Sequence, residues 1–300
     1  MASSAHTTPN TGFVPRRRAR SLRRALLVGL GYFVFAVFVL FPLVWIVLMS
    51  FKTFGDIVAY PPKFIFPPTL DNYKAILFGE GTTGLGLQAS TYVRFVLNSI
   101  IISGGAVLLS FLVGIPAAYS LARAPFRWKN QVAFTFLSFR FAPELAIILP
   151  LFVIYKNVGL YDTFGGMILV HQLITLPLVI WIMIGFFQAI PADIEAAAMV
   201  DGANRWQTLY RVALPMVRPG IASALIIAFI FSWNNLTFGL VLSGGQTQPV
   251  TVGILQTMNF DQIKWGLMAA AAVIAMIPGV LVAIYAQRHL ISGLTMGAVK

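Results

Sequence analysis

The sequence predicts an all-α, polytopic membrane protein with about six transmembrane helices and a cytoplasmic helix-turn-helix. Three observations predict this fold class. Of the 300 residues, 58% are hydrophobic and only 10% are charged, whereas a soluble domain carries about 25% charged residues. Six apolar segments are each long enough to cross a bilayer as a helix, which takes about 20 residues. The net charge of +12 comes from basic residues between these segments, a pattern typical of membrane flanks rather than of nucleic-acid binding.

The predicted spans are separated by loops of unequal length. The longest loop, 51–93, is rich in Pro and Gly, which argues against a continuous helix. The chain is expected to divide into a disordered basic cytoplasmic tail (1–24), a transmembrane domain (25–289) and a cytoplasmic C-terminal tail (290–300). The six predicted spans cover about 25–50, 95–122, 131–155, 163–189, 217–242 and 265–287.

The distribution of positive charge predicts the orientation in the membrane. With both termini inside, fourteen Lys and Arg residues lie on the cytoplasmic side and six lie outside, which leaves Arg140 within the third span. Because cytoplasmic loops carry the excess of Lys and Arg, we expect both termini in the cytoplasm. The chain contains no cysteine, which excludes disulfides, thiolate metal sites and cysteine nucleophiles.

The loop 190–219 predicts a helix, a turn and a second helix. Pro191 suits the start of the first helix, and Gly202 can supply the left-handed residue that ends it. The first helix carries acids and alanines, whereas helices that lie on lipid carry Lys and Arg, so docking to a protein partner is favoured. The second helix is predicted by apolar residues at helical spacing and a closing proline: Trp206, Leu209, Tyr210, Ala213 and Pro215.

This loop resembles the EAA loop of ABC importer permeases. The matching residues are Glu195-Ala196-Ala197, Asp201-Gly202-Ala203, Leu214-Pro215 and Pro219. The chain ends are similar to the second permease subunit of maltose-type sugar importers, through Phe41-Pro42-Leu43, Ser50-Phe51-Lys52-Thr53, Pro61-Pro62, Leu70-Asp71-Asn72-Tyr73 and the C-terminal Gly293-Leu294-Thr295. Together the resemblance covers about 26–300.

The resemblance implies a membrane-spanning permease subunit of an ATP-driven, binding-protein-dependent importer in a bacterial inner membrane. Its implied partners are a second permease subunit, two ATPase subunits, an extracytoplasmic solute-binding protein and membrane lipid, with no nucleic acid. The chain itself is expected to be no enzyme and to hold no cofactor or metal; ATP and Mg belong to the ATPase subunits. In agreement, the sequence has no Gly-x-x-x-x-Gly-Lys-Ser/Thr loop.

The implied docking residues are those of the EAA loop, with Glu195 as a charged contact to the ATPase: Glu195, Ala196, Ala197, Asp201, Gly202, Ala203, Pro215 and Pro219. The implied solute is a sugar or sugar-like compound, an oligosaccharide, monosaccharide or polyol. Glycerol phosphate or another small polar solute is the alternative. An independent secondary transporter is a rival function, but such proteins need an ion relay and often inverted repeats.

Polar residues inside the predicted spans are candidates for a solute path. Arg140 and Glu144 lie one helical turn apart in the third span, where ionisable groups are costly. They form either a mutually satisfied pair near the membrane edge or part of the solute path. The other candidates either join helices by hydrogen bonds or contact solute: Asn98, His171, Asn234 and Asn235.

Overall fold

The computed structural model describes residues 17–79, 89–123, 125, 127–258 and 264–297, with the side chains of 17–23, 89–90 and 286–297 left out of the description. Within these ranges every regular element is a helix. The chain falls into two compact units, Met1–Leu48 and Met49–Lys300. Each is described by itself.

The first unit contains most of helix α1 (Arg17–Ser50). Its apolar part, Arg24–Ser50, is long and apolar enough to cross a membrane, which confirms the first predicted span. Pro42 lies inside the helix without ending it. The helix begins eight positions before the expected boundary at residue 25, because arginine is a good helix former. The expected disordered tail therefore does not extend to residue 24, and residues 1–16 lie outside the description.

The second unit is a helical body interrupted by two irregular turns. A 3₁₀ turn, Phe139–Phe141, separates the helix Lys129–Ser138 from the helix Glu144–Asn157. A π-helical turn, Leu209–Ala213, follows the helix Arg205–Thr208. The helices are α2 (Phe54–Ile57), α3 (Asp71–Phe78), α4 (Ala89–Arg123), α5 (Lys129–Ser138), α6 (Glu144–Asn157), α7 (Phe164–Gln188), α8 (Ala192–Val200), α9 (Arg205–Thr208), α10 (Leu214–Met216), α11 (Arg218–Trp233), α12 (Thr237–Leu242), α13 (Val250–Leu255) and α14 (Trp265–Gly297).

Four continuous helices in the described part of the chain are long and apolar enough to cross a membrane. Besides the first, they are Thr91–Arg123, Phe164–Gln188 and Trp265–Tyr285, which confirms the second, fourth and sixth predicted spans. Two bent helix pairs bring the total to six if each pair is one span: Lys129–Phe141 with Glu144–Asn157, bent by 89°, and Arg205–Met216 with Arg218–Trp233, bent by 83°.

The third and fifth spans depart from the continuous helices that were expected. Pro143 has no N–H to donate and forces Ala142 into an extended conformation, with ψ 134°, so the third span breaks there. The fifth span, predicted over about 217–242, consists of two helices. α11 ends at Trp233, and α12 begins only at Thr237. At the C-terminus α14 continues to Gly297, so residues 290–297 of the expected cytoplasmic tail are helical, and the last three residues are not described.

The centre of the second unit is the contact between α4 and α7. Gly105 lies so close to α7 that a Cβ at this position would be 2.5 Å from Cδ1 of Ile168. Small residues allow this approach, and hydrogen bonds join helices where water is absent. The Ser110 hydroxyl lies 2.8 Å from both Oε1 of Gln172 and Oγ1 of Thr175, which share its single hydrogen as acceptors. These contacts fix α4 and α7 as the frame from which the loops project.

The loop that follows α12 is held by a carboxylate from the α6–α7 connection. Asp162 adopts a positive φ of 54°, and its Oδ1 accepts hydrogen bonds from the backbone N–H of Gly244 (2.8 Å) and Thr247 (2.9 Å) and from the Thr247 hydroxyl (2.7 Å). Its Oδ2 accepts from the N–H of Gln246 at 3.1 Å. Partial burial raises the pKa of Asp162, but these hydrogen bonds outweigh it and hold the pKa below its ordinary value.

Candidate functional site

The helix α8 ends in the turn that its sequence predicts. Gly202 has a φ of 91°, in the left-handed region. Its N–H donates to the carbonyl of Met199 at 3.1 Å, and the N–H of Ala203 donates to the carbonyl of Ala198 at 3.0 Å. These two bonds are the pattern of a Schellman motif, with glycine in the position that a Cβ would strain. The predicted role of Gly202 in the turn is confirmed.

The second helix of the loop begins with a capping box. Oδ1 of Asn204 accepts from the N–H of Gln207, while Oε1 of Gln207 accepts from the N–H of Asn204, both at 2.9 Å. The spacing of these two residues is the sequence signature of the motif, although the sequence analysis did not use it. The helical segment then runs through the π turn to Met216, so Pro215 lies inside its last turn rather than ending it at once.

The two helices present an apolar surface. Ala196, Ala197, Asp201 and Gly202 are exposed, Ala203 is partly buried, and Pro215 is exposed. Large apolar side chains extend this surface, and Val200 is 87% exposed. An exposed apolar patch of this kind marks an interaction site. We call it the α8–α9 face; its large apolar side chains are Met199, Val200, Trp206 and Tyr210.

Glu195 does not belong to the α8–α9 face. Its side chain is only 4% exposed and points back into the chain, where Arg123 at the end of α4 binds it. Nη2 of Arg123 lies 2.7 Å from Oε1, and Nε lies 3.0 Å and 3.1 Å from the two carboxylate oxygens. The Tyr119 hydroxyl donates to Oε2 at 2.9 Å. The contact of Glu195 with an ATPase subunit stays a prediction. Both of its carboxylate oxygens already accept hydrogen bonds from Arg123 or Tyr119 of this chain.

Arg123 also ties the start of the loop to α4. Its Nη2 donates to the carbonyl of Ile190 at 2.9 Å, just before α8 begins. In the sequence alone, Arg123 is one of the fourteen cytoplasmic positive charges, and no local pattern signals this contact. A cavity of about 580 Å³ lies beside the ion pair, between the end of α4 and the two loop helices. Its lining includes Pro116, Ser120, Ala196, Met199, Trp206 and Leu209.

The bend at Val217 connects the loop to the fifth span. Pro219 occupies the first turn of α11, where its missing N–H costs nothing. Next to it, Gly220 allows α11 to approach α7, because a Cβ there would meet the ring of Phe186. The segment before the bend is also packed against the membrane helices, because Leu209, Ala213 and Val217 lie in one buried apolar cluster with residues of α4 and α7.

Arg140 and Glu144 do not form an ion pair within 4.0 Å: the two ion pairs in the described part of the chain are Lys63–Asp56 and Arg123–Glu195. The guanidinium of Arg140 lies 3.9 Å from the ring centroid of Phe231. The carboxylate oxygens of Glu144 accept from Nδ2 of Asn235 at 3.1 and 3.2 Å. The interpretation as a mutually satisfied pair is therefore wrong.

No hydrogen bond joins the other polar candidates to one another in the described part of the chain. Asn98 donates to the carbonyls of Gln246 and Gln248 at 2.9 and 3.0 Å, so it supports the loop after α12. His171 is buried and hydrogen-bonded to the carbonyl of Met167 at 2.7 Å. Asn234 is exposed and donates to the carbonyl of Ile230 in its own helix at 2.8 Å. Of the candidates, Glu144 and Asn235 alone are joined by a hydrogen bond among the described residues.

The described residues contain no group of three or more His, Asp or Glu side chains that could hold a metal ion. The site instead combines an exposed apolar face with an ion pair that connects α8 to α4.

Sequence comparison places these features in a known family. Residues 110–295 match the family described as binding-protein-dependent transport system inner membrane component. A trehalose/maltose transport system permease of Thermococcus litoralis is 32% identical over 94% of this chain and 99% of its own length. A trehalose transport system permease of Mycobacterium tuberculosis is 33% identical over 88% of this chain and 93% of its own length.

A solved structure has the same fold. It is the crystal structure of a bacterial ABC transporter involved in the import of the acidic polysaccharide alginate; the matching chain is 23% identical, with a TM-score of 0.71, and the match covers 93% of this chain and 99% of that chain. At this identity the likeness establishes the fold. Together with the family match and the long, apolar helices, it leads to one conclusion: the chain is a multi-pass membrane protein and belongs to the family of binding-protein-dependent inner membrane components, the permease subunits of ABC importers.

Proposed function

We propose that this chain is the permease subunit of a sugar importer and that the α8–α9 face is the surface on which an ATPase subunit docks. The observation that carries the proposal is the pairing of an exposed apolar face with a buried ion pair beneath it. The face is available to a partner, whereas Glu195 and Arg123 fix the same helix to α4. A force applied to α8 is thereby transmitted to a membrane helix.

The division of labour in this proposal is the one that membership of the permease family implies. ATP and Mg are bound, and ATP is hydrolysed, by two ATPase subunits, and this chain contributes no catalytic group. When the ATPase subunits close, α8 moves with them. The Arg123–Glu195 pair passes the displacement to α4, and the segment 205–216 passes it to α11 across the bend at Val217. A second permease subunit completes the pore, and a binding protein delivers solute from outside.

The proposal also assigns the class of solute and the orientation of the chain in the membrane. Relatives that match nearly the whole chain are named for trehalose, maltose and diacetylchitobiose uptake, so we assign a neutral sugar as the solute. The docking face has to meet soluble ATPase subunits, which places α8 and α9 in the cytoplasm. With an even number of six spans, both termini then lie on the cytoplasmic side, as the charge bias also favours.

Site-directed cross-linking tests the docking surface, because the chain has no cysteine of its own. Val200→Cys places one thiol on the α8–α9 face, and a short bifunctional reagent is expected to join it to the ATPase subunit. Tyr60→Cys is the matched control, since Tyr60 is 98% exposed in the loop predicted to lie outside. Cross-linking from Tyr60 but not from Val200 would contradict both the docking surface and the orientation.

A further inference from the structure

The third and fifth spans are both interrupted, and the two interruptions face each other. In the third span the break at Ala142 and Pro143 follows the 3₁₀ turn. In the fifth span α11 ends at Trp233 and α12 begins at Thr237. Broken helices at membrane depth are tolerated where they are covered by protein or line a water-filled cavity, and they are a frequent place for solute sites in transporters.

Two side-chain contacts join the third span to the fifth at these breaks. Arg140 stacks on Phe231 with 3.9 Å between the guanidinium carbon and the ring centroid, and Glu144 accepts from Asn235. Both contacts join the segment 140–144 of the third span to the segment 231–235 of the fifth, so together they form one polar cluster at this junction. Asn235 is fixed from its other end, because its Oδ1 accepts from the N–H of Phe238 at 3.0 Å.

The cluster has hydrogen-bonding capacity to spare. An arginine carries five N–H donors, yet among the described residues none accepts from Arg140, which makes only its contact with Phe231. A carboxylate has about four acceptor positions, and in the described chain Glu144 receives a single nitrogen, Nδ2 of Asn235. Both side chains are only partly buried. Ionisable groups inside membrane spans usually face the interior of the bundle or a water-filled cavity, so these unused donor and acceptor positions suit a polar occupant.

We propose that Arg140 and Glu144, held in place by Phe231 and Asn235, form a contact site for a neutral, hydroxyl-rich solute where the third and fifth spans are both broken. The guanidinium donates to hydroxyl oxygens and the carboxylate accepts from hydroxyl hydrogens, so the two together suit neighbouring hydroxyl groups of a sugar. Their charges cancel, which gives the site no preference for an anion such as glycerol phosphate. The inference rests on the proposed function, since it requires a solute path through this chain.

The test uses the whole transporter in proteoliposomes, with its partner permease, ATPase subunits and binding protein. Uptake by the wild type is first measured with trehalose, maltose, diacetylchitobiose and glycerol 3-phosphate. Asn235→Cys then places a single thiol beside Glu144, and its modification by a membrane-impermeant methanethiosulfonate is followed on this chain after the subunits are separated. Tyr60→Cys is the control for access from water, because Tyr60 is 98% exposed in the loop predicted to lie outside.

The thiol of Asn235→Cys is expected to be accessible from water, and the transported sugar is expected to slow its modification at least fivefold, with no effect on Tyr60→Cys. Glu144→Gln is expected to raise the apparent KM for that sugar about tenfold, as the loss of one hydrogen bond to a charged group predicts. The control Ser138→Ala should leave KM unchanged, because its hydroxyl bonds only the carbonyl of Phe134 in its own helix.

Three results would overturn the inference. Modification that the transported sugar does not slow would show a water-filled path without solute contact. A thiol that is unreactive in every nucleotide state and instead cross-links to the partner permease would make the cluster a subunit interface. Uptake of glycerol 3-phosphate and of none of the sugars would contradict the proposed solute class itself, and this outcome is recognised in the wild type before any variant is made.

Discussion

Arg123 at the end of α4 and Glu195 in α8 form an ion pair whose closest atoms, Nη2 and Oε1, lie 2.7 Å apart. The arginine binds the carboxylate through two of its nitrogens, and the carboxylate is almost fully buried. Bidentate pairs of this kind fix direction as well as distance. The geometry fixes α8 against the end of α4, as the proposed coupling role requires.

We expect Arg123→Gln and Glu195→Gln each to lower uptake, while the ATPase subunits keep hydrolysing ATP without transport. Each change leaves a buried polar group short of its partner, which costs about 1.5–3 kcal/mol for hydrogen bonds to charged groups. A double-mutant cycle on the melting temperature of the purified complex measures the coupling. If the double variant loses as much as the two single variants summed, the pair is energetically independent and does not act as a strut.

Tyr119→Phe provides a graded version of the same experiment. It removes only the hydroxyl that donates to Oε2 of Glu195, and the ion pair with Arg123 remains. The loss expected is that of one hydrogen bond to a charged group, at the low end of about 1.5–3 kcal/mol, with uptake reduced less than in Arg123→Gln. A Tyr119→Phe variant as defective as Arg123→Gln would shift the role from the ion pair to the ring, which packs edge-on against Phe187 at 5.3 Å between centroids.

Gly202→Ala is expected to impair uptake through the backbone alone. A Cβ at Gly202 would meet nothing within 4 Å, but the φ of 91° is one that side chains rarely adopt; the left-handed conformation costs about 1–2 kcal/mol for other residues. Gly185→Ala is the matched control, because a Cβ there also meets nothing and the residue lies within α7. Uptake in proteoliposomes and the amount of inserted protein are measured together.

The two glycines should separate insertion from coupling. Both variants are expected to insert normally, and Gly185→Ala should be as active as the wild type or slightly more stable, since alanine favours helix by about 1 kcal/mol. Full uptake by Gly202→Ala would mean that α8 docks without the Schellman turn. The assignment of the turn to docking geometry would then be wrong.

Much of this fold follows from local sequence, because local rules decide it. The apolar runs define the spans, and the glycine at position 202 marks the end of α8 in the sequence itself. Pro143 also carried the signal for the break in the third span, but the length of the largely apolar segment around it favours a single span. The fifth span has no such marker, since Asn234 and Asn235 are tolerated inside helices as well as between them.

The Arg123–Glu195 ion pair beneath the α8–α9 face could not be predicted from local sequence. Arg123 and Glu195 lie 72 positions apart, and the predicted orientation assigns both simply to the cytoplasmic side. Only the packing of α4 against α7, and of the loop helices against the end of α4, decides that Glu195 faces inward. Residues Ala196 and Ala197, its neighbours in the motif, face outward in consequence. A motif thus identifies the element, and the tertiary contacts decide which of its residues are left for a partner.

Two adjacent glycines in α4 provide a test of helix packing. Gly105 faces α7, where an added Cβ would lie 2.5 Å from Cδ1 of Ile168, whereas a Cβ at Gly104 meets nothing within 4 Å. We expect Gly105→Leu to lower the melting temperature of the purified protein, because overpacking costs about 1–3 kcal/mol. Gly104→Leu should leave it nearly unchanged. Equal effects of the two substitutions would show that α4 is turned differently against α7.

Acid should loosen the loop 243–249 through Asp162. The hydrogen bonds hold its pKa below the ordinary value of about 3.9. A lowered pKa in the folded state means that the carboxylate stabilises the loop at every pH above the unfolded value, and that this contribution is lost as the pH falls through the folded pKa. Amide hydrogen exchange at Gly244, Gln246 and Thr247 is therefore expected to stay slow at neutral pH and to accelerate only below about pH 4.

Asp162→Asn separates the charge from the backbone conformation. Asparagine tolerates the positive φ of 54° as well as aspartate does, but it replaces one acceptor oxygen by an NH₂ group that faces backbone N–H donors. Exchange in the loop is expected to be fast at neutral pH in this variant and to change little on acidification. If the variant instead keeps the wild-type rates and their acid response, the charge of Asp162 does not hold the loop, and the acid sensitivity must arise from another group.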